Sequence, residues 1–264
     1  MNETARMSLP GLAGKRIAVT AGAGGIGLCI ARELARQGAR LAICDVDAAA
    51  LETAAAELRA EVSMGADVSD ETQVKAFFDE IAATLGGLDA LVNNAGIAGP
   101  TGGVEEIRPD EWRRCIDICL TGQFLCSHFA VPMLKAAGGG AIVNISSAAG
   151  RFGYAFRTPY SSAKWGVVGF TQSLAKELGP SSIRANAILP GIIEGPRIEN
   201  VIAARARQTG VSHDEMKAQY LERISMRRMT PPEDVADMAA FLIADTGRNL
   251  SGQSFPVDGN VEAL

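Results

Sequence analysis

Short apolar runs alternate with longer segments of helical period along this 264-residue chain. Lys15–Thr20 reads as a buried strand, Gly22–Gly27 as a glycine-rich turn, and the residues from there to about Gln37 as a helix. Arg40–Cys44 is a second strand ending at Asp45, Ala48–Arg59 an Ala/Leu/Glu-rich helix, and Val62–Ala66 a third strand before Asp67. Thr72–Leu85 is amphipathic, with Val74, Phe77, Phe78 and Ile81 on one face. Leu88–Val92 is a fourth strand running into Asn93-Asn94-Ala95-Gly96. The second half repeats the alternation. Pro109–Ala137 is helical, Ala141–Ser146 a strand, Tyr160–Gly179 a helix and Arg184–Leu189 a strand; Glu233–Ala244 is a helix and Ser254–Val257 a closing strand.

Strands that alternate with long helices imply βαβ units and a parallel sheet covered on both faces. The expected architecture is a doubly wound α/β sheet in one domain over residues 12–264. Residues 1–11 read as a loose tail with no apolar core. No linker-like break or repeat period divides the chain.

Composition narrows the class. The chain is 47% hydrophobic and 21% charged, as in ordinary globular proteins. A net charge of −5 gives no reason to expect nucleic acid or an anionic membrane as partner. No apolar run reads as long enough to span a bilayer. Five cysteines without a Cys-x-x-Cys pair and no secretory leader point to a reduced, cytoplasmic chain. The two histidines, His128 and His213, stand apart from any acidic or thiol cluster, so no metal site is expected.

Gly22-Ala23-Gly24-Gly25-Ile26-Gly27 follows a strand and opens a helix, and reads literally as Gly-x-Gly-x-x-Gly. Glycines there let backbone approach a pyrophosphate, while the helix N-terminus supplies N–H groups and a positive dipole end. Asp45 ends the next strand, where a carboxylate accepts hydrogen bonds from a ribose diol and repels a 2′-phosphate. No Lys or Arg lies in the glycine turn or directly after Asp45, so NAD is favoured over NADP. Asp67-Val68, Asn93-Asn94-Ala95-Gly96 and Asn144-Ile145-Ser146-Ser147 all end strands on the ligand-binding edge of such a sheet.

Tyr160-Ser161-Ser162-Ala163-Lys164 carries the chemistry. Residues four apart share a helix face, so the Lys164 ammonium can sit beside the Tyr160 phenol. A free phenol, with a pKa of roughly 10, is a poor base at neutral pH, and a neighbouring cation lowers that value. Ser147 can hydrogen-bond a carbonyl or alcohol oxygen held near Tyr160.

Taken together, these residues resemble the short-chain dehydrogenase/reductase family, from about Leu12 to Asp258. The resemblance rests on Thr20 with the glycine turn, Asp45, Asp67-Val68, Asn93-Asn94-Ala95-Gly96, Ser147, Tyr160-x-x-x-Lys164, Pro190-Gly191 and the Ser251-Gly252-Gln253…Val257-Asp258-Gly259 ending. It implies a Rossmann fold and an NAD-dependent oxidoreductase moving a hydride between a secondary alcohol or ketone and the nicotinamide. Tyr160 would be the general acid/base, Ser147 would orient the reacting oxygen, and Lys164 would lower the tyrosine pKa and hold the nicotinamide ribose. Gly22, Gly24, Gly25, Ile26, Gly27, Asp45, Asp67, Val68, Asn94, Ala95, Gly96, Pro190, Gly191 and Ile193 would line the cofactor. A homotetramer is also implied, and the Trp165–Leu178 helix carries apolar residues on more than one face.

Three positions depart from the family pattern. The first glycine of Thr-Gly-x-x-x-Gly-x-Gly is Ala21, with Gly22 and Gly24 able to supply the turn in a shifted form. The Asn of Asp-x-Asn-Leu-Thr-Gly, which helps hold a relay water, is Cys119, and a Thr beyond Pro190-Gly191 is Gly195. An NADH-dependent reductase of the 3-oxoacyl type shares the same active site, and a non-catalytic NAD sensor is a further alternative.

The segment 196–229 is longer and more basic than a strand–helix connection needs, with Arg197, Arg205, Arg207, His213 and Arg223. It is expected to cover the substrate as a lid. Arg157 and Arg197 are the candidate substrate ligands, with Arg151 also near the mouth, and they would suit a small anionic substrate.

Overall fold

The computed structural model describes residues 8–263. Seven strands form one sheet: β1 (Arg16–Thr20), β2 (Arg40–Asp45), β3 (Val62–Gly65), β4 (Ala90–Asn93), β5 (Gly140–Ile145), β6 (Ile183–Pro190) and β7 (Ser254–Val257). Their order is β3-β2-β1-β4-β5-β6-β7, and every neighbouring pair is parallel. This is the doubly wound α/β arrangement that the alternating pattern implies.

Period-two alternation along each strand divides the core between the two faces. Ile17, Val19, Leu41, Ile43, Ala90, Val92, Ala141 and Val143 face one side with α1 (Gly25–Arg36) and α2 (Ala48–Leu58). Ala18, Ala42, Cys44, Leu91 and Ile142 face the other, under α3 (Glu71–Leu85) and the long helices that follow β4 and β5. Each fully buried aliphatic side chain stabilises the fold by about 1.5–3 kcal/mol relative to exposure. Local signals set the helix starts: Asp47 accepts from Ala50 N at the head of α2, and Asp70 accepts from Thr72 N and Gln73 N at the head of α3.

The helical stretch after β4 is α4 (Pro109–Ile116) and α5 (Gly122–Ala136), joined without a break by a π-helical turn over Asp117–Thr121. By length and composition this stretch could span a bilayer, contrary to the sequence expectation; here it packs between α3 and α6 (Thr158–Leu178), and half of its apolar window is buried. Two further helices, α7 (Pro196–Thr209) and α8 (His213–Glu222), occupy the segment read as a lid, and α9 (Pro232–Ile243) returns to pack on α1. This segment is a helical pair around its own apolar cluster of Ile192, Ile202, Ala206, Met216, Tyr220, Ile224, Met229 and Val261.

Most of the expected N-terminal tail lies outside the described residues, but its end is not loose. Leu9 N donates to Gln37 Oε1 at 2.9 Å, and the Pro10 carbonyl accepts from Asp245 N at 3.0 Å. The domain therefore begins ahead of Leu12.

Candidate active site

Winding reverses between β1 and β4, so the loops leaving these strands part at the carboxyl edge. A cavity of about 450 Å³ opens there, bounded by the glycine turn, the ends of β4 and β5, and the starts of α6 and α7.

The glycine turn does not use the shifted frame. Its left-handed positions are Ala21 (φ 49°) and Gly25 (φ 51°), so Ala21 itself takes the conformation expected of a first glycine. That conformation costs an L-residue roughly 1–2 kcal/mol. A Cβ on Gly27 would lie 2.0 Å from the Ala21 carbonyl oxygen, whereas Gly22 packs against Ile43. Gly24 and Gly25 line the cavity, and a Cβ on either would meet nothing within 4 Å. Bare backbone at the N-terminus of α1, with Ile26 beside it, is a cradle that fits a dinucleotide pyrophosphate.

Asp45 lines the same cavity, oriented by N–H groups of Ala23 (3.1 Å) and Asp47 (3.2 Å). The Thr20 hydroxyl accepts from Asn94 N and Ala95 N, both at 3.0 Å, and Asn94 Nδ2 donates back to the carbonyls of Thr20 and Ala21. These bonds tie the glycine turn to the end of β4, and Asn94 and Gly96 face the cavity. Gly22, Gly27 and Ala95 support this wall without facing it. Asp67 and Val68 are not brought to the wall: Asp67 accepts from Ser69 N (2.9 Å) and Ser69 Oγ (2.6 Å), and Val68 packs against Gly122.

At the other end, Ser147, Tyr160, Lys164, Pro190, Gly191 and Ile193 converge on the cavity. Lys164 is 2% exposed, and its Nζ donates to the Ile145 carbonyl at 2.8 Å, 5.7 Å from the Tyr160 ring centre. Ser146 Oγ donates to the Lys164 carbonyl at 2.8 Å, which locks α6 to the end of β5. Burial alone would push the Tyr160 phenol up. Lys164, then Arg197 and a hydrogen bond with Ser147, overcome it and hold the phenol below its ordinary value. Ser147 Oγ accepts from Ala149 N at 3.1 Å, which leaves its proton directed toward Tyr160 and the site.

The π-helical turn brings Cys119 to this group. Its Sγ accepts from Ile97 N at 3.4 Å. A hydrogen bond with Cys115 lowers the Cys119 thiol pKa; burial opposes that effect, and Lys164 adds to it. Gly195 caps α7 with φ 136°, a conformation in which the family's Thr would be strained.

The arginines separate. Arg157 and Arg197 line the cavity. Arg151 does not reach it, because its Nη2 is held by Asp258 at 2.9 Å and by the Val261 carbonyl. Sequence reasoning missed Tyr154, Glu194, Ile198 and Val201, which also line the wall. Tyr154 stood in the Ser147–Tyr160 interval, and Ile198 and Val201 share an i, i+3 face of α7, a signal visible only once that helix is recognised. Among the described residues, no group of three or more His, Cys, Asp or Glu side chains is arranged for a metal.

Comparison with known proteins identifies the family. The sequence profile described as Enoyl-(acyl carrier protein) reductase matches residues 20–261. The chain is 39% identical over 254 residues to the cis-4-hydroxycyclohexanecarboxylate dehydrogenase of Sinomonas cyclohexanicum, covering 95% of this chain and 98% of that one. It is 34% identical over 253 residues to the D-beta-hydroxybutyrate dehydrogenase of Cupriavidus necator, covering 94% and 98%. The structure of an NAD+-bound xylitol dehydrogenase superposes with a TM-score of 0.91 at 30% identity, covering 94% of this chain and 99% of that one. The chain belongs to the short-chain dehydrogenase/reductase family, as an NAD-dependent enzyme moving a hydride between a secondary alcohol or its ketone and the nicotinamide.

Proposed function

We propose that Tyr160 exchanges the proton of the reacting hydroxyl, with Ser147 and Lys164 as its partners, and that this chain works as an alcohol dehydrogenase on a small substrate. The observation that supports this most directly is the Lys164 ammonium, clamped to Ile145 beside a phenol held below its ordinary pKa. NAD supplies the hydride acceptor. Tyr160 Oη takes the hydroxyl proton, Ser147 donates to the same substrate oxygen, and Lys164 favours the phenolate while its remaining protons face the ribose position. Gly24, Gly25 and Ile26 hold the pyrophosphate, Asp45 the adenosine ribose, and Pro190, Gly191 and Ile193 the nicotinamide end.

Relatives that oxidise ring and chain hydroxy acids support the oxidative direction. The test is Tyr160→Phe, which keeps the ring and removes the reacting oxygen. Turnover should fall by on the order of 10²–10⁴ with NADH affinity unchanged; near-normal kcat would remove Tyr160 from the mechanism. A reductase of the 3-oxoacyl type uses the same groups, and thioester substrates reduced far faster than any alcohol is oxidised would favour it. We place the enzyme in the cytoplasm as a homotetramer. The unpaired cysteines and the exposed aromatic side chains of Trp112, Phe124 and Trp165 support that reading.

A further inference from the structure

The catalytic end of the cavity holds cations that, among the described residues, no carboxylate meets at ion-pair distance. Arg157 is 3% exposed, and its guanidinium lies 5.1 Å from the Tyr154 ring centre and 4.9 Å from that of Tyr160. One nitrogen donates to the Ala98 carbonyl, while Nε is buried with no partner. Arg205, 8% exposed, lies 5.2 Å from the same Tyr154 ring, and its guanidinium donates to the Tyr220 hydroxyl at 3.4 Å. Arg197 stands exposed at the start of α7, reaching across the cavity to the Gly96 carbonyl at 3.1 Å. Among the described residues, none of the three meets a carboxylate at ion-pair distance.

Acids are not scarce in this chain, which has 30 Asp and Glu against 25 Lys and Arg. Elsewhere Arg16, Arg32, Arg40, Arg108 and Arg151 are each paired with one. Burying cations without counter-charge is costly. The uncompensated charge is concentrated where a substrate must enter, beside the apolar side chains of Ile192, Ile198 and Val201.

We propose that the alcohol substrate carries a carboxylate, received by Arg197, while Arg157 in the cavity wall and Arg205 beyond it supply positive potential. This rests on the dehydrogenase reading above and narrows it to hydroxycarboxylic acids with a short hydrocarbon frame. The planar guanidinium fork matches a carboxylate in two-point contact. Glu194, exposed on the same rim, opposes a dianion more than a monoanion, which favours carboxylate over phosphate. Both buried guanidiniums pack against the Tyr154 ring, so they set the field, and the exposed Arg197 makes the contact.

The same fork could serve the cofactor's pyrophosphate, and the experiment separates these sources. β-Hydroxyvalerate, α-hydroxyvalerate and meta-hydroxycyclohexanecarboxylate are each compared with their primary amides, with cyclohexanol and sec-butanol as neutral alcohols, using wild-type enzyme, Arg197→Ala and Arg197→Lys. NADH affinity is measured in parallel by fluorescence titration. The wild type should prefer acid over amide, and Arg197→Ala should lower kcat/KM for the acid by roughly 10², chiefly through KM. Because Arg197 also helps hold the Tyr160 phenol below its ordinary value, the amide should lose only a small part, shared with the acid and recovered at higher pH; NADH affinity should be unaffected, and Arg197→Lys should recover part of the acid-specific loss. Equal use of acid and amide, or oxidation of neutral alcohols alone, overturns the proposal while the dehydrogenase reading stands. A loss of NADH affinity matching the loss on the acid assigns Arg197 to the cofactor instead. Absence of NAD reduction with every alcohol defeats the dehydrogenase reading itself.

Discussion

Lys164 Nζ donates to the carbonyl of Ile145 at 2.8 Å, and that bond decides where its charge sits relative to Tyr160. The last residue of β5 thereby fixes a cation on α6. Because Lys164 lowers the Tyr160 pKa and alcohol oxidation uses the phenolate, activity rises as pH passes upward through that value. Lys164→Met removes the cation, so the acid limb of kcat/KM should move to higher pH. A pH profile with an unmoved limb would show that Lys164 does not set the tyrosine's ionisation.

If Asp45 holds the adenosine ribose as proposed, it governs the choice between NAD and NADP. Its carboxylate is aimed by Ala23 N, and the next residue, Val46, is exposed. Asp45→Asn combined with Val46→Arg should lower the NAD:NADP ratio of kcat/KM by at least about tenfold, equivalent to ~1.4 kcal/mol. An unchanged ratio would mean that the 2′ position lies elsewhere.

Ala21 and Gly27 give opposite stability predictions. Ala21→Gly relieves a left-handed alanine and should stabilise the protein by about 1 kcal/mol, raising Tm by roughly 2–4 °C. Gly27→Ala puts a methyl group 2.0 Å from the Ala21 carbonyl oxygen and 2.4 Å from Asn94 Nδ2, so it must spread the turn. Lower Tm together with weakened NADH binding is the expected outcome, read by thermal melts and fluorescence titration. A wild-type melt for Gly27→Ala would contradict the close approach.

Phe124 on α5 and Trp165 on α6 are each about half exposed, at 49% and 50%. Single aromatic side chains on a surface are ordinary, but neighbouring helices carrying several favour an oligomer contact. Scattering at micromolar concentration should report a tetramer, and Trp165→Glu should shift the distribution to smaller species. A wild-type monomer would end the tetramer assignment.

The seven strands and the convergence of Ser147, Tyr160 and Lys164 on one cavity could be read from the sequence because both depend on local pattern: continuous apolar runs for buried strands, and i, i+4 spacing for Tyr160 and Lys164. Features set by contacts between distant residues were not legible. Arg151 lies between Ser147 and Tyr160, yet its partner Asp258 is 107 positions away, and no spacing rule reveals that pair. Asp67 follows β3 much as Asp45 ends β2, but Ser69 two residues on captures its carboxylate. The helices α7 and α8 were hidden because Gly195 and Gly210 interrupt a strongly polar stretch whose buried positions face a small local cluster. The π-helical turn leaves no compositional trace, since one extra residue in a helix changes no residue type.

That separate apolar cluster under α7 and α8 has an evolutionary consequence. Ile198, Val201 and Arg197 shape the substrate space from an element whose buried side chains pack mainly among themselves and the residues flanking it, rather than into the sheet. Substitutions there leave the Lys164–Ile145 clamp and the glycine cradle undisturbed. Selection can therefore redraw this segment while the sheet-borne clamp and glycine turn stay in place, with Arg197, which also bears on the Tyr160 phenol, as the point where the two meet.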